Sequence, residues 1–273
     1  MAFVGNFQLS VTRALRDQLL TALEALDIAP LDEVNLSNVE ERAGVYQLFV
    51  DGELVYVGKA ARNLRSRLSQ HRKKLSGRTH GVLARTEFKC VYVSEDLDAI
   101  APEAMLISHY RNTGGAPWNF NGFGNNDPGR QRDTSLVASN HFDSLYPIDL
   151  DVAVPFATTS PERLGPAMQR LKSVLPFVFR FAPVPAALTI EPPSGAEATV
   201  RDWIGQIAST LPADWSVVAL PGYVIAYPDR PAETFESRVG TWQRKPDGST
   251  EWVAHEPVFG VSAPEATSDA PEN

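Results

Sequence analysis

Residues 44–71 read GVYQLFVDGELVYVGKAARNLRSRLSQH. Val, Phe and Tyr dominate positions 45–50 and 53–57, with Asp51-Gly52 between them, so the stretch predicts two antiparallel strands joined by a tight turn. The turn decides what the tyrosines can do. A two-residue Asp51-Gly52 turn makes Tyr46 face Val57 and sends Tyr56 to the other side of the sheet. A three-residue loop, Val50-Asp51-Gly52 with a left-handed Gly52 bulge, pairs Tyr46 with Tyr56 and puts both phenols on one face. The sequence permits either. After the hairpin, residues 62–75 predict a helix with Leu64, Leu68 and Leu75 on one stripe. Arg67 and His71 are four apart, so they stand one above the other beside that stripe, with Lys74 nearly in line.

Working outward, residues 11–29 carry leucines at helical spacing (15, 19, 23, 26), residues 86–94 alternate as a third strand, and Pro102 suits the first turn of a helix running to about Arg111. Residues 114–133, GGAPWNFNGFGNNDPGRQRD, are too long for a simple turn. Beyond Pro147 the pattern restarts. DLDVAVPFA and FVFRFAP are strand-like, SPERLGPAMQRLKSVL and residues 197–211 are helical, and SVVALPGYVIAYP precedes a hairpin at Asp247-Gly248. The expected fold class is α+β. It comprises an N-terminal helical extension (1–41), a small domain with a three-stranded antiparallel sheet and flanking helices (42–148), a C-terminal α/β unit (149–261) and a tail of disordered composition (262–273).

Composition narrows the class. No apolar run approaches the roughly 18 residues of a membrane helix, and the N-terminus MAFVGNFQLS lacks a signal-peptide pattern. The single cysteine, Cys90, excludes an internal disulfide and makes a cytoplasmic location the simplest expectation. The net charge is −8, yet between Lys59 and Lys89 ten Lys and Arg stand against one acid, Glu87. Residues 1–133 balance at sixteen of each sign, so the acidic excess lies beyond Asp133. A polyanion-binding first half fits that asymmetry.

GVY, nine residues, then YVGK, followed by NLRSRL, resembles the signature of the GIY-YIG nucleases, with Val45 and Val57 in place of isoleucine. The resemblance extends to Glu103 on a helix after the third strand and to Asn119 in PWNFNGFG, over about residues 42–133. PWNFNGFGNNDPGRQRD together with Arg67 and His71 resembles the type II restriction endonucleases of that superfamily that cut a CCGCGG-like palindrome.

The resemblance implies an endonuclease hydrolysing DNA phosphodiester bonds. In it, Tyr46 is the general base or its relay, Tyr56 orients phosphate or water, and Arg67 holds the scissile phosphate. His71 hydrogen-bonds a tyrosine or assists proton transfer, and Asn119 fixes the loop or the leaving-group side. Glu103 is the sole protein ligand of Mg²⁺, with Mn²⁺ substituting. Lys59, Arg62, Arg65, Lys74, Arg130 and Arg132 are candidate DNA contacts. Implied partners are double-stranded DNA, a second copy in a homodimer or tetramer, and a cognate DNA methyltransferase, without a membrane. A structure-specific repair or recombination nuclease and an inactive DNA-binding module are the rival readings.

Overall fold

The computed structural model describes residues 4, 10–93, 102–112, 115–124, 129–154, 160–193 and 198–261, with the backbone alone at 102–105, 112 and 131. The chain forms two units, one built chiefly from residues up to Arg72 together with Val82–Phe120, the other from Lys73–Gly81 together with Asn121–Thr267.

In the first unit, helix α1 (Val11–Glu24) is capped by Ser10, whose hydroxyl accepts from the Arg13 amide, and buries Leu19 and Leu23. It stops short of the expected residue 29. Pro30 disfavours helix at the residue before it, and Ala29–Pro30 instead form a two-residue strand, β1, antiparallel to β4 (Thr86–Tyr92). The polar link holds a short helix, α2 (Glu33–Ser37), capped by Asp32. Strands β2 (Gly44–Val50) and β3 (Glu53–Ala60) form the expected hairpin, followed by α3 (Leu64–Ser76) and, after β4, by α4 (Pro102–Asn112). The sheet order is β1-β4-β2-β3, so the three expected strands gain β1 as a fourth.

Alternation sorts this sheet into two faces. Val45 and Val57 enter a core with Leu19, Leu23, Leu106 and Ala116, contributed by α1, α4 and the segment after α4. The opposite face carries Gly44 and Tyr46 and is covered by α3, whose Leu64 and Leu68 are fully buried.

In the second unit, short helix α5 (Phe142–Leu145) precedes β5 (Glu162–Arg163), α6 (Leu164–Val174), β6 (Val178–Phe181) and β7 (Thr189–Ile190). Helix α7 (Val200–Thr210) follows, then β8 (Ser216–Ala219), β9 (Tyr223–Tyr227), β10 (Gly240–Arg244) and β11 (Thr250–Ala254). The five-stranded order is β11-β10-β8-β9-β6, with only the β6–β9 pair parallel, while β5 and β7 form a separate ribbon. Leu164, Met168 and Leu171 of α6 join Trp203, Ile204 and Ile207 of α7 in the core. Gly248, at φ 85°, makes the expected Asp247-Gly248 turn.

Two expectations need correction. The described part of DLDVAVPFA, residues 149–154, is no strand; it makes a single bridge, Ala153 to Thr199. Its carbonyls are taken up at the start of α7, where Leu150 accepts from the Arg201 amide at 2.8 Å and Val152 from the Val200 amide at 3.0 Å. The expected break at residue 148 also moves, because Ile148 and Leu150 are buried in the second unit's core.

Candidate active site

The hairpin adopts neither expected register. Asp51 and Gly52 both have positive φ, 53° and 81°, which is the geometry of a two-residue turn of the kind that matches strand twist. Val50 accordingly pairs with Glu53 and Phe49 with Leu54. The register then slips, so that Leu48 pairs with Tyr56 and Tyr46 with Gly58, leaving Val55 as the extra residue of a bulge. The bulge restores what the tight turn alone would have prevented. Tyr46 and Tyr56 share a face as diagonal neighbours, with ring centroids 6.1 Å apart.

Both motif glycines are needed for this packing. A Cβ on Gly58 would stand 2.3 Å from the Tyr46 ring and hydroxyl and 2.8 Å from the Tyr56 ring. A Cβ on Gly44 would stand 2.3 Å from the Val91 carbonyl and 2.4 Å from Leu64, closing the seat of α3.

Helix α3 begins where the Asn63 side chain accepts from the Ser66 amide at 2.8 Å. One turn later, and again four residues on, it delivers Arg67 and His71 to the tyrosines. The Tyr46 hydroxyl lies 2.7 Å from His71 Nε2, and Arg67 Nε donates to the same oxygen at 3.3 Å. The imidazole ring stands 5.5 Å from both phenol rings. Tyr46 has no exposed surface and His71 only 4%, whereas Arg67 is half-buried. Burial pulls the Arg67 guanidinium toward deprotonation, but the Tyr46 and Tyr56 oxygens outweigh it, so its pKa is raised and it stays cationic. With Arg67 donating to the phenol oxygen, a His71 tautomer whose Nε2 carries no proton can accept the phenol's own proton.

Asn119 plays a different part. Its side-chain carbonyl accepts from the Val57 amide at 2.9 Å and its amide donates to the Val57 carbonyl at 2.7 Å. It thus pairs with the outer edge of β3 as a strand would, and fixes the turn at Pro117–Asn119 on that edge. Glu103 lies in the first turn of α4, one turn before buried Leu106, and its side chain is outside the described residues. Among the described residues no group of three or more His, Cys, Asp or Glu is placed to hold a metal. A single carboxylate nevertheless suits Mg²⁺, which retains waters and takes phosphate oxygens.

The expected DNA contacts scatter. Arg62 is exposed, two residues before α3 begins. Lys59 pairs with Val45, so alternation points it away from the tyrosine face. Arg65 donates to the carbonyls of Val39 at 2.6 Å and Ser37 at 3.1 Å and fastens the α2 segment. In the second unit, Lys74 donates to the Phe123 carbonyl and lies over the Phe123 ring at 4.8 Å. Arg130 pairs with Asp229 and stacks 4.1 Å from the Tyr227 ring, while Arg132 is exposed. Sequence reasoning missed the space-making roles of Gly44 and Gly58, although both letters stood in the quoted motif. It also missed buried Gln47, whose amide donates to the Tyr110 hydroxyl at 2.8 Å.

Residues 42–113 match the family described as the UvrC-like GIY-YIG domain. This segment is a GIY-YIG domain. The match places the hairpin, α3, β4 and α4 in a superfamily of nucleases and ends before Asn119. No curated protein matches the chain. No helix of the described residues is long and apolar enough to cross a membrane.

Proposed function

We propose that the protein is a Mg²⁺-dependent endonuclease that hydrolyses phosphodiester bonds of duplex DNA. One observation carries the reading: on the GIY-YIG hairpin, a single phenol oxygen, that of Tyr46, is held between His71 Nε2 and Arg67 Nε. Attack on a phosphodiester needs a proton acceptor for water and positive charge for the phosphoryl oxygens. In the free protein Arg67 covers the Tyr46 oxygen through a long bond that a phosphate readily replaces. When DNA binds, the planar fork of Arg67 transfers to the phosphate, because charge-assisted bidentate contacts are the stronger ones. That transfer uncovers the phenol for the attacking water, and the proton passes through Tyr46 toward His71. Tyr56, beside both rings, orients the phosphate. Glu103 would be the protein ligand of Mg²⁺, which when bound would supply positive charge to the phosphoryl group.

The substrate we assign is a GC-rich palindrome, cut by a type II restriction enzyme acting as a homodimer or tetramer and partnered by a cognate methyltransferase. Convergence of Arg67 and His71 on Tyr46 supports this reading, because that pair carried the resemblance to such enzymes. A structure-specific repair nuclease is the second reading, and the UvrC-like character of the matched domain favours it.

Digestion of a sequenced plasmid with Mg²⁺, beside nicked and forked duplexes, tests both. The restriction reading expects discrete plasmid bands; cutting confined to forks or nicks assigns repair. Glu103→Ala and Tyr46→Phe should each lower the rate about 10²–10⁴-fold with folding intact. Parent-like cutting by Tyr46→Phe would remove the proposed mechanism.

A further inference from the structure

The second unit holds a cavity of about 400 Å³, in the range of small-ligand sites. It opens beside the C-terminal end of α7, between β8, β10, β11 and the loop before β10. Besides the Glu233 carboxylate, its lining has three chemical parts. Trp215 and Trp242 supply planar apolar walls. The indole nitrogen of Trp242 is already spent on the Arg201 carbonyl at 3.3 Å, and its ring packs on Trp252 at 4.6 Å between centroids, which leaves 7% of the residue exposed. A hydrogen-bonding edge comes from Thr241 and His255, whose hydroxyl and Nε2 stand 3.0 Å apart. Burial lowers the His255 pKa, Arg238 lowers it further and Glu233 opposes them, so the imidazole stays neutral and can donate or accept.

The third part is cationic. Arg238 lines the cavity, donates through Nη1 to the Phe235 carbonyl at 3.1 Å, and has no carboxylate partner among the described residues. Arg244 differs, since its guanidinium is taken by the carbonyls of Ala208, Ser209 and Leu211 at the end of α7. An apolar ligand would leave Thr241, His255 and Arg238 desolvated without return, and a bare anion would have no use for two indoles. A heteroaromatic ring bearing a phosphate answers all three parts, because bases stack on aromatic side chains and Arg pairs with phosphate oxygens.

We propose that this cavity binds a nucleobase carried on a phosphate, with the base against Trp215 and Trp242 and the phosphate at Arg238. The site belongs to the second unit, whereas Tyr46 belongs to the first, and it does not depend on cleavage. The same chemistry is offered by a free nucleotide and by an unpaired base in a DNA strand. Isothermal titration in EDTA, with the full chain, separates the sources. The probes are the four deoxynucleoside 5′-monophosphates, deoxyribose 5-phosphate, inorganic phosphate, a short single-stranded oligodeoxynucleotide and its abasic counterpart.

We expect a monophosphate or the base-bearing oligonucleotide to bind, and the baseless probes to bind at least about tenfold more weakly. Trp215→Ala and Arg238→Ala should each weaken binding about tenfold or more, whereas Trp215→Phe, which keeps a stacking ring and controls for folding, should retain it. Binding by monophosphates identifies the free nucleotide as the source; binding by the oligonucleotide alone identifies the strand. Equal binding of baseless and base-bearing probes, affinity unchanged in both weakening variants, or no binding by any base-bearing probe at millimolar concentration would overturn the proposal.

Discussion

Gly58 shows how a single missing side chain can shape a site. The phenol of Tyr46 lies across the strand position where any other residue would place a Cβ, 2.3 Å from the ring and hydroxyl. Gly58→Ala must therefore push the phenol away from His71 and Arg67 or bend β3. We expect a loss of about 1–3 kcal/mol of stability from overpacking, read by urea denaturation, together with a cleavage defect much larger than that loss explains. Cys90 makes a second residue-scale point, since it pairs with Tyr46 across β2 and β4. Burial pushes its thiol up from 9.0 to about 11. A raised folded pKa means that the folded state holds the proton longer than the unfolded state does. The associated stability is present in full below pH 9 and is lost as pH rises toward 11. Cys90→Ala should flatten the stability curve in that window, and iodoacetamide should label the folded protein more slowly than the urea-unfolded chain at pH 8.

At the scale of elements, the decisive feature is a compromise within one hairpin. The tight Asp51-Gly52 turn satisfies strand twist, and the bulge at Val55 then returns Tyr56 to the face of Tyr46. Asn119 completes this edge by bonding both the amide and the carbonyl of Val57. Asn119→Ala strands two backbone groups on a part-buried edge. A destabilisation of about 1–3 kcal/mol is expected, and hydrogen exchange at the Val57 amide should quicken more than at Val45. Unchanged exchange at Val57 would mean that the turn is held by other means.

At the scale of the molecule, the chain contributes to the second unit twice, first as Lys73–Gly81 and again from Asn121. Arg78 shows the consequence. Its buried guanidinium pairs with Asp143 at 2.8 Å and donates to the Tyr146 carbonyl at 3.0 Å. Burial lowers the Arg78 pKa and Asp143 opposes that shift, so the pair depends on both members. Arg78→Ala should cost about 3–5 kcal/mol, because it leaves a largely desolvated carboxylate without its arginine. A far-UV melt of the variant should show this as a lowered transition. A fragment beginning at Asn121 lacks Arg78 and should share the defect.

Much of the architecture was legible from periodicity alone. Hydrophobic alternation placed β2, β3 and β4, leucine spacing placed α1 and α3, and turn chemistry placed the hairpin at Gly248, because each depends on residues near one another in the chain. The Tyr46, Arg67 and His71 cluster was legible in part, since helical geometry puts Arg67 and His71 on one line. Long-range choices were not legible. Which phenol oxygen that line would meet depended on the bulge at Val55. Arg65 and Arg130 read as basic surface, yet Arg65 is drawn to backbone carbonyls at residues 37 and 39, and Arg130 to a carboxylate at 229. Local sequence sets torsions and periodicity, but a side chain's partner is chosen by whichever distant group folding brings within a few ångströms, and that choice belongs to the tertiary structure.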